Sequence, residues 1–266
     1  MRMKTQFLVI MAFFGLIASS ASAAPTVSRL YLFGGGHKPE LALKSFFRAS
    51  DYWNRRVLFI VWATSFPGDA CSSFRSDARA LTKVSIDCSP SQEESIKNPA
   101  TLIRQMERAS GIFFSGGDQS RIMKVFDRAP ELLVLLHKKF NAGFPIAGTS
   151  AGTAIQSEWM IERENTPGSE DPSAVDMRLG VGLMRKGYVV DQHFLKRNRD
   201  KRLIAAMKKS GQPHGLGVDE GAAVLVLGSR HVMVFEGIAR HYYESTRGYR
   251  YIDYFPGEVV DLSRFP

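Results

Sequence analysis

The pentapeptide Gly-Thr-Ser-Ala-Gly at residues 148–152 is the feature that most constrains how this chain can fold. It directly follows a short apolar run at residues 144–147 and directly precedes Thr-Ala-Ile at residues 153–155. A G-x-S-x-G sequence in this setting predicts a strand, a sharp turn that carries the serine, and a helix. Because Gly-Ser-Gly combinations also occur in ordinary turns, Ser150 is a candidate nucleophile only if a base and an oxyanion partner lie elsewhere in the chain.

Short apolar strand candidates alternate with helical stretches around this motif. Strands are predicted at residues 28–33, 57–63, 83–86, 111–115, 188–190, 216–218, 222–227 and 232–235. Helices are predicted at residues 41–49, 100–109, 119–126, 131–140 and 202–208, and another is predicted to end at residues 78–81. This order predicts an α/β fold of three layers, in which helices cover both faces of a mostly parallel central sheet.

The chain is predicted to contain a signal peptide and one domain. Arg2 and Lys4 precede an apolar run at residues 7–17, and Ala-Ser-Ala at residues 21–23 fits a cleavage site. This run is too short to span a bilayer. We therefore expect residues 1–23 to be removed, and the protein to be exported to a periplasm or the medium without a membrane anchor. Residues 24–266 are expected to form a single domain, and the polar residues 163–176 an exposed loop within it.

The net charge and the cysteine content of the chain limit which ligands and cross-links are expected. The net charge is +9, with Lys and Arg concentrated at residues 196–202 and 240–250 and no interleaved aromatic residues typical of a nucleic-acid groove. Nucleic acid is not expected as a partner; the basic residues either face water or hold a carboxylate-bearing substrate. Cys71 and Cys88 form a disulfide or remain two buried thiols, and neither has metal-ligand spacing around it. No metal or cofactor is expected.

A base for the serine is predicted at His193, because it ends an apolar strand candidate. Catalytic groups gather at the carboxyl ends of strands in parallel α/β sheets. His137 lies in a helical stretch and is predicted to face solvent, whereas His231 and His241 are predicted to be structural. The remaining histidine candidates are His37 and His214.

The acid and the oxyanion donors are also predicted at strand ends. Asp219 and Glu220 follow the strand candidate at residues 216–218, and either acid could orient the histidine or belong to an ordinary turn. The N–H of Ala151 is one oxyanion donor expected from the turn geometry. A second is expected from Gly117, in a Gly-Gly turn that lies between a strand and a helix.

Four motifs together resemble the cyanophycinase family of serine peptidases, relatives of the aspartyl dipeptidases. They are Phe-Ser-Gly-Gly-Asp-Gln at residues 114–119, the pentapeptide at 148–152, Asp-Gln-His-Phe at 191–194 and Gly-Val-Asp-Glu at 217–220. The resemblance runs from about residue 30 to about residue 227. It implies a class I glutamine-amidotransferase-like, flavodoxin-like fold and a triad of Ser150, His193 and Glu220, which leaves Asp219 as a neighbour.

The resemblance also implies a substrate pocket and a substrate. Its pocket residues match Gln119, Asp191, Gln192, Arg197, Arg199 and Arg202 in this chain. Arginine forks suit the carboxylates of a polyaspartate chain, although the three arginines would also fit a basic helix start that faces water. The implied reaction releases β-aspartyl-arginine dipeptides from cyanophycin, an arginine-bearing polyaspartate.

Two segments depart from the family pattern. Residues 163–176 are unmatched, and residues 228–266 are not expected to form the strand-rich ending of cyanophycinases.

The alternative functions are an aspartyl or isoaspartyl dipeptidase with the same triad, an α/β-hydrolase esterase with His231 or His241 as its base, and an inactive exported binding protein. The sequence is compatible with a homodimer and does not decide the oligomeric state.

Overall fold

The computed structural model describes residues 27–51 and 55–265, so the predicted signal peptide at residues 1–23 lies outside the described residues. The strands are β1 (Arg29–Phe33), β2 (Arg56–Ile60), β3 (Ser85–Cys88), β4 (Gly111–Phe114), β5 (Ile146–Thr149), β6 (Trp159–Glu164), β7 (Val175–Leu179), β8 (Tyr188–Gln192), β9 (His214–Val218), β10 (Ala223–Leu227), β11 (His231–Glu236), β12 (Ala239–Ser245), β13 (Gly248–Tyr254) and β14 (Val259–Asp261). The helices are α1 (Glu40–Asp51), α2 (Pro67–Leu81), α3 (Gln92–Lys97), α4 (Pro99–Arg108), α5 (Gln119–Arg128), α6 (Pro130–Asn141), α7 (Ala151–Ala154) and α8 (Asp200–Ser210).

The main sheet has eight strands in the order β14-β11-β10-β1-β5-β4-β2-β3. Strands β1, β5, β4, β2 and β3 are parallel to one another, whereas β10, β11 and β14 extend the sheet in antiparallel fashion. Strands β1, β2 and β4 are almost entirely buried, as expected for strands that helices cover on both faces, whereas the edge strand β3 is only partly buried. The predicted α/β fold with a mostly parallel central sheet is confirmed.

Helices cover the two faces of the main sheet with different side chains. On one face, α1 and α2 bring aromatic rings onto the sheet, and the Phe74 ring centroid lies 4.7 Å from that of Phe113. On the other face, α4, α5, α6 and α7 pack against aliphatic side chains of the same strands, such as Leu32 and Ile112. The three-layer prediction is therefore confirmed.

A second sheet, of order β13-β12-β9-β8, carries two of the strands that end at the predicted site. Strands β8 and β9 are parallel to each other, and α8 packs on one face of this sheet. Residues of the opposite face, including Val190 and Leu216, join the core of the main sheet. The sequence predicted β8 and β9 but not β12, β13 or the separation of these strands into a second sheet.

Two predictions about irregular segments are wrong in part. Residues 163–176 are not a loop throughout, because β6 and β7 pair as an antiparallel hairpin and occupy both ends of this range. Residues 228–266 form a strand-rich ending after all, with β11 to β14 in their described part. Strand β12 is partly buried and β13 is mostly exposed. Tyr242 and Tyr254 are buried, and Arg240 pairs with Asp253.

Cys71 and Cys88 form a disulfide that joins α2 to the end of β3, with the two Cα atoms 6.1 Å apart. This settles the choice between a disulfide and two free thiols. Closing a loop of this length stabilises a fold by about 3 kcal/mol. Among the described residues, no helix has both the length and the apolar character needed to cross a membrane.

Candidate active site

Ser150 occupies a strained turn between β5 and α7, with φ 52° and ψ −112°. The backbone segments around this turn approach too closely for side chains on its glycines. A Cβ on Gly148 would lie 2.0 Å from the carbonyl oxygen of Gly152, and a Cβ on Gly152 would lie 2.4 Å from that of Phe114. The predicted strand, turn and helix are confirmed, and the two glycines are explained by these approaches.

Ser150, His193 and Glu220 form a continuous chain of hydrogen bonds. The Oγ of Ser150 lies 2.8 Å from Nε2 of His193, and Nδ1 of His193 lies 2.5 Å from Oε1 of Glu220. An ionised carboxylate only accepts hydrogen bonds, so Nδ1 carries the proton and Nε2 can accept one from the serine. The carboxylate of Asp219 turns away and accepts the N–H of Lys196 at 2.8 Å. The geometry therefore selects Glu220 over Asp219 as the partner of the imidazole.

The surroundings favour a neutral imidazole and an ionised glutamate. Burial lowers the pKa of His193 and outweighs the opposing effect of its hydrogen bond to Glu220. The same hydrogen bond lowers the pKa of Glu220. At neutral pH this pair is thus ready to take a proton from Ser150.

Two backbone N–H groups beside Ser150 are available for an oxyanion. Gly117 has φ 134°, and a Cβ there would lie 2.2 Å from the carbonyl oxygen of Ala63, so this turn requires glycine. A Cβ on the preceding Gly116 would lie 3.3 Å from Cβ of Ser150, which puts the turn directly against the serine. Within the described chain, the N–H groups of Gly117 and Ala151 donate to no other residue.

The two glutamines take different positions. Oε1 of Gln192 lies 3.4 Å from Oγ of Ser150, so this side chain lines the serine directly. The amide of Gln119 instead donates to the carbonyl oxygens of Ile161 and Glu162 at 3.1 and 2.8 Å. Gln119 therefore ties α5 to the β6–β7 hairpin, and its donors are occupied.

Only one of the three predicted arginines is exposed beside the triad. Arg197 has a side chain that is 52% exposed, with its Nε 3.8 Å from Oε1 of Glu220. Arg202 is buried and donates from Nε and Nη2 to the two carboxylate oxygens of Asp191, at 3.0 and 2.8 Å. Arg199 is also buried and donates to the carbonyl oxygen of Gln192 at 2.6 Å.

The prediction that Asp191, Arg199 and Arg202 line an open substrate surface is corrected by this burial. The three side chains form a network beneath Gln192, because each buried charge needs a partner inside the fold. The alternative expectation, a basic helix start that faces water, is also wrong for these two arginines.

Three of the other histidines have partners other than the serine. His241 is fully buried, with Nδ1 2.9 Å from the hydroxyl of Tyr254, which agrees with a structural role. His231 lies 4.0 Å from Asp261 on the antiparallel side of the main sheet. His137 is half-buried, and its Nε2 donates to the backbone carbonyl oxygen of Val181 at 2.7 Å. The prediction that it faces solvent is therefore wrong.

The glycine turn at residues 34–36 was predicted only as the end of the first strand, without a role in the site, yet it directly contacts the triad. The carbonyl oxygen of Gly34 accepts the N–H of His193 at 2.8 Å. The available signal was three consecutive glycines after an apolar strand, the same type of signal that marked Gly117. In the described part of the chain, no group of three or more His, Cys, Asp or Glu side chains is arranged to hold a metal ion.

Comparison with known proteins gives the family. The model of peptidase family S51 matches residues 30–234, which is well over half of the chain. The protein therefore belongs to peptidase family S51.

Within that family, the similar curated proteins are cyanophycinases, which confirms the resemblance seen in the four motifs. The chain is 36% identical to the cyanophycinase of Synechococcus elongatus over 47% of its own length and 38% of that protein. It is 32% identical to the cyanophycinase of Geminocystis herdmanii over 52% of its length and 53% of that protein. The match thus spans only about two fifths to one half of these relatives.

Solved structures of similar fold are also peptidases by description. A peptidase from an acI-B1 Actinobacterium has a TM-score of 0.68 at 20% identity, covering 90% of this chain and 98% of that one. A putative peptidase E protein from Listeria monocytogenes has a TM-score of 0.54 at 15% identity, covering 78% and 98%. At these identities the likeness establishes the fold alone.

Proposed function

We propose that the protein is an exported serine exopeptidase that hydrolyses cyanophycin to β-aspartyl-arginine dipeptides through an acyl-enzyme. The observation that carries this proposal is the unbroken hydrogen-bonded chain from Ser150 through His193 to Glu220. Membership of peptidase family S51 and the similarity to curated cyanophycinases support the reaction and the substrate.

Acylation begins when Oγ of Ser150 attacks the carbonyl carbon of the scissile bond. Nε2 of His193 accepts the serine proton as the new bond forms, and Glu220 stabilises the resulting imidazolium through Nδ1. The negative charge that develops on the carbonyl oxygen is held by the N–H groups of Gly117 and Ala151.

The tetrahedral intermediate then collapses and the scissile C–N bond breaks. His193 gives its proton from Nε2 to the departing nitrogen, which leaves as a neutral amine. In deacylation, water attacks the ester carbonyl of Ser150 while Nε2 of His193 removes a proton from the water. As the second intermediate collapses, His193 returns this proton to Oγ of Ser150, which frees the product acid and regenerates the serine hydroxyl. Protons and charge are balanced over the cycle without a cofactor.

Substrate recognition is assigned to the exposed Arg197 and to Gln192. A guanidinium beside the triad suits a carboxylate of the substrate, because arginine can donate two parallel hydrogen bonds to it. Gln192, whose Oε1 faces Ser150, suits the amide nearest the scissile bond. Buried Asp191, Arg199 and Arg202 hold the strand end that carries these groups.

Export is the second part of the proposal. The Cys71–Cys88 disulfide supports it, because structural disulfides persist in oxidising compartments. The charged, apolar and small-residue pattern at residues 1–23 supports it independently. Intact-mass analysis of protein from the periplasmic and medium fractions tests cleavage after Ala23.

An aspartyl or isoaspartyl dipeptidase is the second candidate. It is favoured because Arg197 is the exposed one of the three predicted arginines, and one guanidinium beside the triad holds one substrate carboxylate. The esterase alternative is disfavoured because His231 and His241 lie in other hydrogen-bond environments, whereas His193 contacts Ser150.

The deciding experiment incubates purified protein with cyanophycin granules and, in parallel, with short Asp-X and isoaspartyl-X peptides. Release of β-aspartyl-arginine from granules supports the cyanophycinase function, and hydrolysis of the short peptides alone supports the dipeptidase. The matched control is Ser150→Ala, which is expected to fold and to lose about a millionfold in rate. A protein that cleaves nothing and whose Ser150 does not react with a serine-directed phosphonate would be a binding protein.

A further inference from the structure

The end of strand β1 contacts the nucleophile turn and the histidine turn through neighbouring carbonyl groups. The carbonyl oxygen of Phe33 accepts the N–H of Ser150 at 3.0 Å. The next carbonyl oxygen, that of Gly34, accepts the N–H of His193 at 2.8 Å. Two successive carbonyl groups, of the last residue of β1 and of the residue after it, thus fix the two residues that exchange a proton in the proposed reaction.

The third successive carbonyl group of this segment reaches the glutamate turn. The carbonyl oxygen of Gly35 accepts the N–H of Gly221, the residue directly after Glu220, at 3.0 Å. A Cβ on Gly36 would lie 3.5 Å from Oε2 of Glu220, so the turn also passes beside the carboxylate. Three consecutive carbonyl groups therefore each hold one of the three triad turns.

This arrangement matters because the triad is divided between two sheets. Ser150 follows β5 of the main sheet, whereas His193 and Glu220 follow β8 and β9 of the second sheet. The distance from Oγ to Nε2 consequently depends on how the strand ends of one sheet lie against those of the other. Residues 33–35, at the end of β1, accept hydrogen bonds from turns that follow strands of both sheets.

Gly35 also packs its backbone against the imidazole. Its φ is +108°, and a Cβ there would lie 2.2 Å from Cε1 and 2.4 Å from Nε2 of His193. No side chain fits at that distance, so any residue other than glycine displaces the ring from Ser150, Glu220 or both. Gly34 is equally constrained, because a Cβ there would lie 1.8 Å from the carbonyl oxygen of Asp219.

We propose that the Gly34-Gly35 turn is a positioning element, which holds His193 at hydrogen-bond distance from Ser150 and Glu220 across the boundary between the sheets. Its role in turnover rests on the proposed peptidase function, whereas its role in geometry does not. Neither glycine touches the reacting atoms of the substrate, so both act through the triad.

The test compares Gly35→Ala with Gly248→Ala. Gly248 has φ +92° and no heavy atom within 4 Å of an added Cβ, so its variant carries similar backbone strain without a steric clash. We expect Gly35→Ala to lower kcat about 100-fold with little change in KM, as displacements of about 1 Å do, and Gly248→Ala to retain wild-type turnover.

A second readout needs no substrate. The rate at which a serine-directed phosphonate labels Ser150 is expected to fall in Gly35→Ala by a factor similar to that in kcat, and to be unchanged in Gly248→Ala. If the wild-type protein is labelled but cleaves no cyanophycin, the proposed substrate fails while labelling still tests the turn. Equal labelling of the two glycine variants would overturn the positioning role.

A double variant guards against a loss of folding. In the His193→Ala background the ring is absent, so Gly35→Ala is expected to lower the melting temperature much less than it does beside an intact His193. Equal destabilisation in both backgrounds, or a double variant that fails to fold, would show that the added methyl does not act through the imidazole and would overturn the proposal.

Discussion

Arg202 donates hydrogen bonds to both carboxylate oxygens of Asp191, and both residues are buried, with exposures of 6% and 0%. Oδ1 of Asp191 also accepts the N–H of Gln192 at 2.8 Å. The pair therefore fixes the end of β8, directly before His193. Arg202 was predicted from the sequence to bind substrate, but it instead stabilises the buried Asp191 carboxylate in the interior of the protein.

Arg202→Met is expected to destabilise the protein by about 3 kcal/mol, because the buried carboxylate of Asp191 loses both hydrogen bonds from Arg202 and keeps only Arg199 at 3.6 Å as a charged partner. Urea denaturation measures this change. The matched control is Arg197→Met, which removes an exposed guanidinium and is expected to cost at most about 1 kcal/mol of stability. Equal stability of the two variants would contradict the assignment of Arg202 to the fold.

Glu220→Gln is expected to lower kcat by about 10,000-fold while the protein remains folded. An amide in place of the carboxylate cannot stabilise the imidazolium and favours the wrong tautomer of His193. Steady-state turnover measures the effect, with Asp219→Asn as the neighbouring control. Because the Asp219 carboxylate faces the N–H of Lys196, that control is expected to keep most of the activity.

The midpoint of the acid limb in the pH profile of kcat/KM is expected to lie below pH 6.5. The reaction needs neutral His193, and burial holds the pKa of this imidazole below its ordinary value of 6.5. Activity is therefore retained on acidification through pH 6.5 and is lost only at lower pH, as the imidazole becomes protonated. A limb centred above pH 6.5 would contradict this environment for His193.

His241 is expected to make stability fall with acid. Burial lowers the pKa of this histidine to about 3, so the folded state excludes a proton that the unfolded chain binds below pH 6.5. The free energy of unfolding then decreases from pH 6.5 towards pH 3, by about 1.4 kcal/mol per pH unit from this residue. Denaturation of His241→Phe at several pH values is expected to show a shallower slope than the wild type, and an unchanged slope would rule out this origin.

Local patterns predicted the parts of the fold and site that depend on local geometry. The G-x-S-x-G turn identified Ser150, and positions at strand ends identified His193 and the pair Asp219 and Glu220, because strand ends are set by sequence neighbours. The family resemblance then selected Glu220. The buried parallel strands were predicted for the same reason, since their apolar runs are continuous.

The features that were missed depend on contacts between distant residues. A strand such as β8 has the same apolar pattern whichever sheet it joins, so the second sheet left no local signal. The charges of Arg199 and Arg202 resemble a solvated helix start until Asp191 is placed beside them. The β6–β7 hairpin was hidden by the polar residues around its tip. The three glycines at residues 34–36 indicate a close backbone approach but not which residues the carbonyl groups of residues 33–35 contact.

The position of β1 has a consequence for how the protein fails on heating. This strand is hydrogen-bonded on both sides, to β5 and to β10, in the interior of the main sheet. Strands of this kind separate only when the whole domain opens. The three triad turns are hydrogen-bonded to the end of that strand and the residues directly after it, so we expect catalytic activity and the native fold to be lost together on heating.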